Sequence, residues 1–307
     1  MNRRQFLVRT SALLGACASS PILSTARAIP PMPRTGAARL LLSLAAYSFR
    51  NSFPPTSEKP ASTTAPARPM HMEGFIDYCA EHQCDGAELT SYYFPKDAPD
   101  SYFTNLRRYA FLKGIAISGT AIGNNFSLPS GDKRSAEIAR CKLWIDRAAL
   151  LGAPHIRVFA GHNKDLPRDE ADKLVIAALE ECCDYAGSKG IFLGLENHDA
   201  IGNAEHLLKL ISPVRSPWLG VNLDSGNFHT EDPYADFARC APYAVNVQLK
   251  TEVFPSASKQ PLPADLPRLV RILRENGYQG FTALELEEKT DPYTAVPAVL
   301  AQLRKLL

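Results

Sequence analysis

The side chains with chemical potential cluster in the second half of the chain. They are Glu196 and His198, Asp224, Gln248 and Lys250, and Glu285. Each group follows an apolar run. Ile191-Phe192-Leu193-Gly194-Leu195 ends in Glu196-Asn197-His198, and Leu219-Gly220-Val221-Asn222-Leu223 ends in Asp224. Ala244-Val245-Asn246-Val247 ends in Gln248, with Lys250 close behind, and Phe281-Thr282-Ala283-Leu284 ends in Glu285. Short apolar runs of this kind read as buried strands of a parallel sheet. Four successive strands therefore each deliver an oxygen-bearing side chain. Two Glu, one Asp and one amide oxygen form a hard donor set for one divalent ion, Mn²⁺ or Mg²⁺, with water or substrate oxygens completing the shell. Lys250 is either an oxyanion stabiliser or a solvated lysine at a strand end. His198, just past a ligand strand, is placed to hydrogen-bond substrate.

The elements that must position these residues follow from their spacing. The candidates lie 28, 24 and 37 residues apart, each about one strand–helix unit. Upstream, the same alternation holds. Residues 39–46 read as a first strand, Met72 to Glu81 as a helix, Gly86 to Leu89 as a strand and Ser101 to Leu112 as a helix. Ile115 to Ile122 reads as a strand, Lys133 to Leu150 as a helix, His155 to Phe159 as a strand and Arg168 to Ser188 as a helix. Further helices are expected at 203–211, 233–241, 265–276 and 292–306. Eight strands, each followed by a helix, predict a single closed (β/α)₈ barrel over residues 39–307. An open doubly wound sheet is the alternative, but no G-x-G-x-x-G follows the first strand. In a barrel all four candidates sit at the C-terminal face, where Glu88 and His162 at other strand ends would also line the pocket for substrate. Tyr92, Tyr93 and Phe94 either stack on a ligand face or pack against a helix.

The amino terminus reads as an address. Arg3-Arg4 precedes an apolar stretch from Ser11 to Leu23 and then Ala26-Arg27-Ala28. This is the order of a twin-arginine export signal cleaved after Ala28, and it predicts a periplasmic protein that engages the twin-arginine machinery. Leu14-Gly15-Ala16-Cys17 offers a competing outcome, lipidation at Cys17 and a membrane tether. No later apolar run is long enough to span a bilayer. Removing residues 1–28 takes away four arginines and no acid, leaving 30 basic against 32 acidic side chains, a net charge of −2. That balance gives no electrostatic case for binding nucleic acid. Residues 29–38 are Pro-rich and read as a linker, and the Pro-rich stretch 50–69 after the first strand as a lid. Six cysteines remain after the signal, without metal-site spacing, and are expected as buried free thiols.

On these residues the chain resembles the sugar phosphate isomerase/epimerase family of xylose isomerase-like TIM barrels. The likeness rests on Gly194-Leu195-Glu196-Asn197-His198, on Gly220-Val221-Asn222-Leu223-Asp224-Ser225-Gly226-Asn227, on Val247-Gln248-Leu249-Lys250 and on Gly277-Tyr278-Gln279-Gly280 leading to Leu284-Glu285. Asp85-Gly86-Ala87-Glu88-Leu89 agrees. The resemblance implies that Glu196, Asp224, Gln248 and Glu285 bind one divalent metal. The family usually carries His at the position of Gln248, and many relatives carry His at that of Asn227. Gln248 is then either a ligand or a substrate contact, leaving three protein ligands.

The implied reaction is sugar isomerisation or epimerisation, or a related lyase reaction, through an enediolate. Glu196 and Glu285 would exchange protons with the carbon beside the carbonyl, with Glu287 able to replace Glu285. Export favours a free or oxidised sugar, or a glycoside, over a phosphorylated one. Two other readings stand beside this one: a carbohydrate-binding barrel without turnover, and an endonuclease IV-like phosphodiesterase.

Overall fold

The computed structural model describes residues 29–56 and 68–307. The expected export signal, with Cys17, and residues 57–67 of the expected lid lie outside the described residues.

The chain alternates as its sequence predicts. The elements are β1 (Arg39–Ala45), α1 (Met72–Glu81), β2 (Gly86–Thr90), α2 (Asp100–Leu112), β3 (Ala116–Ala121), α3 (Asp132–Leu151), β4 (His155–Val158), α4 (Arg168–Ser188) and β5 (Phe192–Glu196). They continue with α5 (Ala204–Ile211), β6 (Leu219–Asp224), α6 (Pro233–Cys240), β7 (Ala244–Leu249), β8 (Glu252–Val253), β9 (Leu262–Pro263), α7 (Leu266–Glu275), β10 (Gln279–Leu284) and α8 (Pro292–Leu306). Eight parallel strands close into a barrel in the order β1-β10-β7-β6-β5-β4-β3-β2. The short strands β8 and β9 form a separate antiparallel pair in the segment after β7.

Local sequence fixes where the later units begin. Asn203, Asp232, Asp265 and Asp291 each cap a helix by accepting a backbone N–H from its first turn. Pro233, Pro267 and Pro292 occupy first-turn positions, where the missing N–H costs no helical bond.

The Pro-rich residues 29–38 carry almost no regular structure, yet they pack. Met32 donates its N–H to Pro242 O at 2.9 Å, Arg34 lies 4.8 Å over the Tyr278 ring and bonds Ala244 O, and Gln279 bonds the carbonyls of Thr35 and Ala37. Ala244 and Gln279 begin β7 and β10, so this segment lies across the N-terminal end of the barrel, away from the candidate residues. All six described cysteines are free and buried. No helix of the described residues is long and apolar enough to cross a membrane.

Candidate active site

Glu196 ends β5 and is buried. Its Oε2 lies 2.9 Å from Arg157 Nε, and its Oε1 accepts from Asn227 Nδ2 at 2.8 Å. Arg157 comes from the neighbouring strand β4, where it pairs in register with Gly194. Its Nη1 donates to Ile122 O at 2.8 Å, and its guanidinium sits 3.9 Å over the Phe159 ring. Burial raises the Glu196 carboxyl to about 7, against the pull of Arg157. Arg157 carried no signal in the sequence beyond a charge inside an apolar strand, which a strand buried on both faces can hold only with a partner.

Asp224 ends β6 and is fully buried. Asn197 fixes it by a reciprocal pair of bonds, receiving Asp224 N–H at 2.9 Å and donating to Asp224 O at 2.8 Å. The Asp224 Oδ1 accepts Gly226 N–H at 2.7 Å. Its Oδ2 lies 3.1 Å from Lys250 Nζ, at contact distance but without hydrogen-bond alignment. Lys250 Nζ also lies 2.7 Å from Glu287 Oε2 and 3.5 Å from Asn227 Oδ1. Lys250 is therefore not a solvated strand-end lysine. Burial opposes its charge, but Asp224, Glu285, Glu287 and Glu196 outweigh it and hold the ammonium well above its ordinary range.

Glu285 follows β10 and is 7% exposed. Among the described residues nothing donates a hydrogen bond to its carboxylate. Burial pushes its carboxyl well up; Lys250 opposes this, while Asp224, Glu287 and Glu196 add to it. Glu196 ends β5 and Glu285 follows β10, and β6 and β7 lie between those two strands in the ring. Lys250 and Asp224 come from those two intervening strands.

Gln248 and Glu88 depart from expectation. Gln248 donates its Nε2 to Glu88 Oε1 at 2.7 Å and accepts from Asn222 Nδ2 at 2.7 Å. Glu88 Oε2 accepts from Asn246 Nδ2 at 2.7 Å, and Asn246 in turn donates to Asn222 Oδ1 at 2.8 Å. The four side chains form a buried polar layer that spans the barrel from β2 to β6 and β7. Gln248 thus spends both ends of its amide within this layer instead of presenting a free oxygen, and Glu88, expected at a strand end facing substrate, has both carboxylate oxygens engaged in it. Burial raises the Glu88 carboxyl to about 7, against the bonds from Gln248 and Asn246.

The remaining candidates lie at the rim. His198 packs on Phe159 with ring centroids 4.5 Å apart, and its Nδ1 lies 3.0 Å from Asp199 Oδ2. The Phe159 ring also carries the Arg157 guanidinium. The His162 side chain is exposed, and only its carbonyl is held, by Asn125 Nδ2 at 2.9 Å. Tyr93 stacks on Phe53 at 4.2 Å and Phe94 on Phe103 at 5.3 Å, so both are packing residues. Tyr92 hydrogen-bonds Arg157 and belongs to the site. An open depression of about 690 Å³ lined by Thr230, Asp232, Tyr234, Pro255 and Arg268 shares no residue with the carboxylate ring.

The donor chemistry suits a hard divalent ion, but the arrangement does not fit one. Glu196 is held by Arg157 and Asn227, Asp224 by Gly226 and Lys250, and Gln248 by Glu88 and Asn222. Among the described residues no three Asp, Glu, His or Cys side chains converge on a common point. A divalent ion asks for several oxygens at one centre, and here Lys250 stands among them.

The family model of the xylose isomerase-like TIM barrel matches residues 76–306. No curated protein matches the chain. Among solved structures, D-psicose 3-epimerase in the presence of D-fructose is 16% identical with a TM-score of 0.64, over 85% of this chain and 89% of that one. The 3-keto-D-glucoside 4-epimerase from E. coli is 15% identical with a TM-score of 0.63, over 87% and 100%. The IOLI protein with a binding zinc atom is 16% identical with a TM-score of 0.66, over 87% and 96%. Likeness at these identities is a likeness of fold.

Proposed function

Because the chain belongs to the xylose isomerase-like TIM barrel family, we propose that it is a sugar isomerase or epimerase that moves a proton at the carbon next to a carbonyl. One observation carries this reading. Two buried carboxyls, Glu196 and Glu285, are both raised above the ordinary carboxylate range by burial, Glu196 to about 7, and their surroundings differ. Glu196 has the Arg157 guanidinium at ion-pair distance and a hydrogen bond from Asn227, and both favour its ionised form. Glu285 accepts no hydrogen bond among the described residues, and burial favours its neutral form. Carboxyls set apart in this way divide into a base and an acid. Glu196 takes the proton, and the C–H electron pair passes to the carbonyl oxygen to give an enediolate. The Lys250 ammonium, held by Asp224 and Glu287, lies among these groups to meet that charge. Glu285 then delivers a proton to the opposite face of the same carbon, giving the epimer; if the hydroxyl proton first passes between the two enediolate oxygens, a proton delivered to the former carbonyl carbon gives the isomer.

The same charges favour a neutral sugar or glycoside. Arg157 and Lys250 are both paired with carboxylates, so neither is free for a phosphate. Epimerase neighbours that act on unphosphorylated sugars by name are consistent with this choice.

The test is solvent deuterium exchange into a panel of ketoses and 3-keto sugars, followed by NMR. Exchange at a carbon next to the carbonyl is expected, with a rate that rises with pH through about 7 as Glu196 gives up its proton. No exchange into any sugar would overturn the reading, and a rate indifferent to pH through neutrality would remove Glu196 as the base. We further propose that the chain is exported through the twin-arginine route and cleaved after Ala28. Amino-terminal sequencing of the protein from a periplasmic fraction should then begin at Ile29. A chain retained in the cytoplasm with Met1 intact would refute this, and a lipid on Cys17 would replace it with the tethered form.

A further inference from the structure

We infer that Lys250 is a built-in cation that takes the position a divalent ion would need among the carboxylates, and that it keeps such an ion out of the native site. The argument rests on where the side chain is and how it is held there. Its backbone N–H donates to Ser225 Oγ at 2.8 Å, which fixes the start of the side chain against the loop after β6. Its stem then crosses Gly226, where a Cβ would lie 2.6 Å from Lys250 Cδ. Any other residue at 226 would displace the lysine, so the glycine makes the passage. The ammonium arrives between Asp224, from β6, and Glu287, beyond β10, with Asn227 Oδ1 as a third neighbour.

Arg157 does the corresponding work on the other side, against Glu196. Together the two side chains bring two positive charges into the ring, the charge of one divalent ion. They bring it already bonded to protein. Each of Glu196, Asp224 and Gln248 is engaged by donors from this chain, and an entering ion would have to displace them. The step from ion to side chain also suits Gln248. Its amide does not compete for a cation and instead closes the polar layer below.

This inference rests on the acid–base reading only for the part Lys250 plays in turnover. Occupancy by metal is measured without turnover, so the two can fail separately. The experiment is elemental analysis of the purified full chain after chelation and dialysis, followed by titration with Mn²⁺ in a calorimeter. The wild type is expected to carry no stoichiometric divalent ion and to show no saturable Mn²⁺ binding. Lys250→Ala leaves Asp224 and Glu287 without their cation, and it is expected to gain one saturable Mn²⁺ site and a rise in melting temperature when Mn²⁺ is added. Lys250→Met, which keeps the bulk of the stem, gives the same readout if the alanine variant does not fold. A wild type that binds one Mn²⁺ per chain would overturn the inference. So would folded Lys250 variants that bind no more Mn²⁺ than the wild type, because Lys250 would then not be what excludes the ion.

Discussion

Glu285→Gln is expected to slow epimerisation by about 10²–10⁴-fold, the range over which a positioned general acid or base contributes. The substitution keeps the volume and removes only the transferable proton. Because no described group donates to the Glu285 carboxylate, the amide breaks no hydrogen bond, and the fold should be retained. The informative feature is which half of the reaction survives. Glu196, with Arg157 and Asn227 still on its oxygens, continues to take the proton from its own face. Deuterium wash-in with retention of configuration should therefore persist where inversion is lost. Glu196→Gln should abolish both. Chiral chromatography of the products, run beside NMR of the recovered substrate, makes the comparison. If Glu285→Gln epimerised at the wild-type rate, Glu285 would lose its role and Glu287 would be the group to test next.

The second large effect is on stability, and it arises below the site. Glu88→Ala removes the acceptor for Gln248 Nε2 and Asn246 Nδ2, both at 2.7 Å in the barrel interior. Each buried donor left unpaired costs about 1–3 kcal/mol, so about 2–6 kcal/mol is expected from the two. Asn246 keeps its bond to Asn222 Oδ1, which places its share at the lower end. Urea denaturation checks the total, and a change well under 1 kcal/mol would mean that the layer is not what holds this part of the barrel.

A pH series separates the charge from the packing. The Glu88 carboxyl rises from its ordinary 4.5 to about 7 in the fold. The folded state thus holds the proton more tightly than the unfolded chain does. Its contribution to stability is complete below about 4.5 and is lost as pH rises through about 7. Glu88→Gln has no such loss, so its stability relative to the wild type should increase across that interval. A difference that does not change with pH would show that Glu88 stays ionised throughout.

What the sequence determined by itself is the scaffold and the residues it carries. Apolar runs alternating with amphipathic stretches were enough to predict the barrel, and the helices Met72–Glu81, Arg168–Ser188 and Pro292–Leu306 begin and end where the pattern does. The spacing of Glu196, Asp224 and Glu285 was enough to place them at the C-terminal ends of strands. These are properties of short stretches, and local chemistry settles them: period, capping residue, proline and glycine.

Tertiary structure decided what those residues touch. Alternation along a strand tells which side chains face inward, but their depth depends on how the strands tilt and stagger as the barrel closes. Gln248 and Asp224 pair in register on adjacent strands, yet one lies in an amide layer with Glu88 and the other meets Lys250. No local signal joins Gln248 to Glu88, 160 residues apart in the chain, or Arg157 to Glu196 on the next strand. A donor set can be read from residue types. Whether its oxygens are free for a metal, or already held by an arginine, a lysine and two amides, is settled only when the ring closes and every buried charge has to find its partner.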